Sequence, residues 1–174
     1  YNSSGAVARE VSGYRLKTTN ELPGNRPQVN TVSNVTYAVT VSNGKFQFDG
    51  TRPAFLSLER GKTYIFNQDD SSNDSNHIFV GTSDDGWHVG SPPVIGDTSY
   101  LLAGDHVKYY IDGAETTYNT YISAFNTASQ RETRIHVPVD APIALYLFAY
   151  SQSGVGIRCV VEGYVLGDLT EDYI

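Results

Sequence analysis

The sequence predicts an all-β sandwich, and three observations carry that expectation. Side chains that suit a pleated surface are abundant, with thirteen Tyr and seven Phe among 174 residues. Short runs of alternating apolar and polar residues recur from residue 35 onward. Turn chemistry separates those runs, as at Asn43-Gly44, Asp49-Gly50 and Arg60-Gly61. Aromatic and β-branched side chains pack well on a pleat. Short strands broken at such intervals indicate an antiparallel sandwich.

Residues 1–34 hold neither a period of 2 nor one of 3.6, and Gly, Pro, Asn, Ser and Thr dominate them. They read as an irregular N-terminal arm or linker. From Val35, the residues Tyr37, Val39 and Val41 alternate with Thr36, Ala38 and Thr40. Asn43-Gly44 then makes a two-residue hairpin turn into Lys45-Phe46-Gln47-Phe48, because that turn requires positive φ at both positions. Residues 55–59, 62–66 and 77–80 read as the next strands. A polar loop, residues 67–76, separates the last two. Residues 82–134 read as a long insert, with a strand at 107–111, a weak strand at 117–122 and loop or a helical turn at 124–130. Two buried strands joined by a Ser/Gly loop follow at 141–163. Residues 167–174 form a short acidic tail with Asp168, Glu171 and Asp172. The sandwich proper is expected over 35–166.

The formal charge of −7 argues against a nucleic-acid partner, which requires a basic face to replace condensed counterions. Residues 1–34 carry Arg9, Arg15, Lys17 and Arg26 against Glu10 and Glu21, a net of +2 that leaves −9 for the remainder. A basic arm on an acidic body can dock onto a neighbouring copy, so a homo-oligomer is expected; a solvated surface explains the same asymmetry. No apolar run approaches the length of about twenty residues that a membrane helix needs, so no membrane partner is expected. The single cysteine precludes an internal disulfide. Alternation places Cys159 on one face with Ile157 and Val161, as a small buried hydrophobe.

The stretch from Ala141 to Gly163, APIALYLFAYSQSGVGIRCVVEG, resembles the ligand-bearing corner of the cupredoxins, the blue-copper β-sandwiches. There the family runs Ala-Pro-x-x-Leu-Tyr-Tyr-x-Cys-x-x-His-x-x-Met-Gly, and this chain matches it at Ala141, Pro142, Leu145, Tyr146 and Gly156. The first half is similar too, at Tyr37, Val41, Asn43, Gly44, Lys45 and Phe46, at Arg60 to Tyr64 with Phe66, and at Asn73 with His77. The match spans roughly residues 35–81 and 134–163. It implies a cupredoxin-like antiparallel Greek-key sandwich. It also implies that the copper positions are His77, Ala149, Gln152 and Val155, of which only the first still carries a copper donor. Blue copper needs two imidazoles and a thiolate, so no metal and no cofactor are expected.

Other chemistry is weakly signalled. His88, His106 and His136 come from separate segments with no ligand spacing between them. Loop 67–76 is rich in Asp, Asn and Ser, which suits either calcium or simple turn capping, and the sequence leaves that choice open. No nucleophile sits in a recognisable catalytic setting, so the chain reads as non-catalytic. Trp87, Tyr100, Tyr118 and Tyr121 are candidates for an interface or for stacking on a glycan.

Copper-less domains that look like this one occur in virion proteins of marine bacteriophages, including cyanophages. That resemblance implies a structural protein, as capsid decoration, tail or fibre component, whose partners are other virion subunits and whose location is the virion, or otherwise secretion. A glycan-binding adhesion domain is the alternative. A copper electron-transfer protein is a remote one.

Overall fold

The computed structural model describes residues 34–85, 88, 106–149 and 151–163. The arm at 1–33, Trp87, Tyr100 and the acidic tail therefore lie outside the described residues, as does any exchange of the arm between subunits.

Among the described residues, ten strands build two sheets. β1 (Val35–Ser42), β2 (Lys45–Phe48), β4 (Thr63–Asn67), β6 (Val107–Ile111), β7 (Ala114–Thr116) and β8 (Arg131–His136) form a six-stranded sheet. Its order is β2-β1-β4-β8-β6-β7. β3 (Leu56–Glu59), β5 (Ile78–Gly81), β9 (Ala144–Ala149) and β10 (Ile157–Glu162) form a four-stranded sheet in the order β3-β10-β9-β5. An α-helix, α1 (Tyr118–Ala124), and a short 3-10 turn, Ser71–Asn73, complete the described elements.

The all-β sandwich expected from the sequence is present, with one correction to its strand directions. β1 runs parallel to β4, and β3 runs parallel to β10, so both sheets are mixed rather than antiparallel. Parallel neighbours require a crossover between them. The chain supplies one by leaving β1 through β2, visiting the other sheet as β3, and returning as β4. The Asn43-Gly44 hairpin forms as predicted, with φ of 51° and 67°.

Alternation buries one face of strands such as β3, β8 and β10, while β5 is buried at every position. In β8, Arg131, Thr133 and Ile135 point inward while Glu132, Arg134 and His136 are partly exposed. The four-stranded sheet contributes Leu56, Leu58, Leu145, Leu147, Ile157 and Cys159, and the six-stranded sheet Phe46, Phe48, Tyr64, Phe66 and Ile135, to one core. The described part of the 82–134 segment supplies β6, β7, α1 and the start of β8. β8 lies between β4 and β6, in the interior of the larger sheet.

A second correction concerns residues 117–122, expected as a weak strand. They enter a helix, capped where the Thr117 hydroxyl accepts from Thr120 N–H at 3.3 Å. The aromatic and β-branched content suggested a strand. The decisive signal is spacing: Tyr118, Tyr121, Ile122 and Phe125 fall at i, i+3, i+4 and i+7, one face of a helix.

Candidate functional site

Two hydrogen-bonded strands bring the presumed ligand positions to one end of the four-stranded sheet. Ile78 on β5 pairs with Ala149 on β9, so His77 stands beside the end of β9 and the turn that follows it. The turn at 151–156 is shaped by close contact. A Cβ on Gly156 would lie 2.0 Å from the Leu147 carbonyl oxygen, so only glycine fits there.

Side chains from elsewhere fasten this turn. Arg52 donates to the carbonyls of Phe46 at 3.0 Å, Val155 at 3.3 Å and Gly156 at 2.7 Å. Asp85 accepts from Gly154 N–H at 2.8 Å and from the Ser153 hydroxyl. Lys45 Nζ donates to the Gly154 carbonyl, and Phe46 N–H donates to the Val155 carbonyl at 3.1 Å. The side chains of Lys45, Arg52, Asp84 and Asp85 line a cleft against Gly154 and Gly156. His88 reaches the same region, with Nε2 at 2.8 Å from the Ala149 carbonyl.

His77 is packed rather than presented. Its ring lies 4.2 Å from that of Phe125, 6.0 Å from Tyr121 and 6.4 Å from Phe79, centroid to centroid. Burial pushes its pKa down to about 4, against the opposing effect of a hydrogen bond with the Ile122 backbone. Ala149 and Val155 are fully buried apolar side chains, and Gln152 is exposed. These residues do not fit a blue-copper centre. Two of the four positions carry no donor atom, and the imidazole is enclosed by aromatic rings. Cys159 lies on β10, buried, with its thiol pKa raised to about 12 by desolvation. No group of three or more His, Cys, Asp or Glu side chains is arranged to hold a metal among the described residues.

The aromatic candidates are corrected in part. Tyr121 is 0% exposed, because α1 turns it into the core, where its hydroxyl meets Thr133 at 3.0 Å and Gln68 at 3.3 Å. Tyr118 packs its ring against Phe79 at 5.3 Å and Tyr109 at 6.2 Å. Both serve to seat the helix; Tyr121 is fully enclosed and Tyr118 stays partly exposed.

Sequence reasoning missed Arg131 altogether. Its side chain is 3% exposed, yet it carries a full charge into the polar loop. It donates to Asp74 Oδ1 at 2.6 Å and to the carbonyls of Phe125 at 3.1 Å, Asp69 at 3.0 Å and Asp70 at 2.9 Å. The guanidinium thus occupies loop oxygens that a hard cation would otherwise use. Asp70 caps the short 3-10 turn by accepting from Ser72 N–H at 2.9 Å, and a hydrogen bond with the Ser72 side chain, together with that backbone one, holds its carboxyl below the usual range. Alternation in β8 was the available signal, since it sets Arg131 on the inward face with Thr133 and Ile135.

No protein-family model matches the chain, and no curated protein matches it. Among solved structures it is similar to reduced rusticyanin, at 13% identity and a TM-score of 0.41 over 74% of this chain and 79% of that one. It is also similar to a multicopper oxidase from Pseudomonas thermotolerans, at 10% identity and a TM-score of 0.35 over 80% of this chain. The match spans 32% of the oxidase. Likeness of this degree carries no argument about chemistry. The cupredoxin-like fold implied by the motifs fits the two-sheet architecture on the strand order and the Ile78–Ala149 register alone.

Proposed function

We propose that the chain is a non-catalytic structural and interaction module of a large assembly, a bacteriophage virion protein serving as capsid decoration, tail or fibre component. One observation carries the non-catalytic part. The positions where a cupredoxin would hold copper are used here for packing, with Ala149 and Val155 at 0% exposure. A fold retained while its metal corner is filled with core is retained for its shape, its edges and its loops. The resemblance to copper-less virion domains supplies the setting, and the basic residues 1–34 against an acidic remainder supply a means of docking between copies. The glycan alternative is weakened by the burial of Tyr121 and the packing of Tyr118, two of its four rings.

Antibody labelling of intact particles from the source tests the setting. The proposal expects regular labelling of the particle surface or tail by electron microscopy. Labelling confined to soluble protein, with bare particles, overturns it.

A further inference from the structure

His106 and His136, which the sequence leaves 30 residues apart, meet across neighbouring strands. Val107 pairs with Ile135, and His136 N–H donates to the His106 carbonyl at 2.8 Å. Their ring centroids are 6.4 Å apart with planes inclined by only 27°. Both side chains are half-buried, on the outward face of the six-stranded sheet. A third residue orients one of the two rings: Thr63 Oγ1 on β4 lies 3.2 Å from His136 Nδ1. With Nδ1–H donating to that hydroxyl, Nε2 keeps the lone pair that a metal requires. Metal-bound imidazoles are regularly held in this way by a partner on the other ring nitrogen.

The charges around the pair do not oppose a cation strongly, because the described neighbours Arg134, Lys108 and Lys62 each have a carboxylate partner. Arg134, two residues before His136, is bound to Glu132 at 2.6 Å. Lys108, two residues after His106, is bound to Glu115 at 3.2 Å. Lys62, next to Thr63, is bound to Glu59 at 2.7 Å.

We propose that His106 and His136 form a two-imidazole site for a divalent transition-metal ion, with water in the remaining coordination positions. Imidazole suits zinc, nickel and copper, whereas magnesium and calcium require oxygen ligands. Bonds of about 2.0–2.1 Å to each nitrogen draw the rings closer than they stand, through side-chain torsions at a sheet surface. The site is distinct from the His77 corner, and with no thiolate its copper adduct lacks the intense blue colour of a cupredoxin.

Zinc chloride titrated calorimetrically into the full chain at neutral pH tests the site. One ion binds per chain, and His106→Gln and His136→Gln each weaken binding at least tenfold. Thr63→Val weakens it about tenfold, the size of effect seen when an orienting partner is removed. Copper binds more tightly than zinc, in the Irving–Williams order. Magnesium produces no saturable heat, and His88→Ala leaves zinc binding unchanged. A zinc-dependent rise in melting temperature, present in the parent and lost in both Gln variants, reports the same site independently and shows that each variant folds. The absence of saturable zinc binding overturns the proposal. So does binding that survives either Gln variant, or binding that disappears with His88→Ala.

Discussion

Arg131→Ala removes a buried side chain that ties β8 to the polar loop at 67–76, and the structure sets the size of the effect. The Asp74 carboxylate and the carbonyls of Asp69 and Phe125 lose this donor, while the Asp70 carbonyl keeps the Asn73 N–H at 3.0 Å and the Asn73 side-chain amide at 3.1 Å. The Asp74 side chain is 49% exposed, so it rehydrates and contributes little. The carbonyls matter more, at about 1–3 kcal/mol for each buried acceptor left unmet. Those at the loop surface recover water in part. The stem of Arg131 and its stacking on Phe125, at 4.5 Å from the ring centroid, are lost as well. The expected loss is about 3 kcal/mol, at the lower end of what breaking a buried ion pair costs. Arg131→Lys retains the charge but not the fork that spans several acceptors, and should lose about 2 kcal/mol. Urea unfolding at neutral pH gives the stability change. Amide exchange at Asp74, Asn76 and Ile78 should accelerate in both variants, since the 3-10 turn and the Gln68 contacts depend on the same loop. A loss below about 1 kcal/mol with unchanged loop amides would refute the view that this buried guanidinium organises the loop.

Three further expectations follow from other sites. Tyr121→Phe removes a buried hydroxyl shared by Gln68 and Thr133 and should cost about 1 kcal/mol in urea unfolding, because Thr133 keeps the Ile78 carbonyl as a partner; an unchanged midpoint would contradict the burial of that hydroxyl. His77 has a folded pKa depressed to about 4 from 6.5, so its neutral form favours folding above pH 6.5, and that contribution is lost as pH falls from 6.5 towards 4. His77→Phe should therefore flatten the stability profile across that window by up to about 3 kcal/mol relative to the parent, and parallel profiles would show that the imidazole is not buried neutral. Cys159, with its thiol pushed up to about 12 and no access to solvent, should react with a thiol reagent only on global unfolding; rapid labelling of the native protein would place it on the surface.

The strands were legible because alternation and turn chemistry are local. Val35–Ser42 and Lys45–Phe48 follow from residues adjacent in sequence, and Asn43-Gly44 fixes their hairpin. The parallel pairing of β1 with β4 was not legible, since it depends on which sheet β3 joins. Residues 117–122 were misread because Tyr and Ile suit strands by composition, while their spacing of three and four makes a helix face. The inward placement of Cys159 was readable from its neighbours Ile157 and Val161. The pairing of His106 with His136 was not, because only the β6–β8 register brings them together. Nor could the sequence show that Tyr121 is core, as its burial depends on where α1 lands.

The mass of the native species, measured by light scattering on material taken from its source without denaturation, tests the structural role most directly. As a structural component, the chain travels in a very large particle. A free 19.1 kDa monomer as the native species would contradict it.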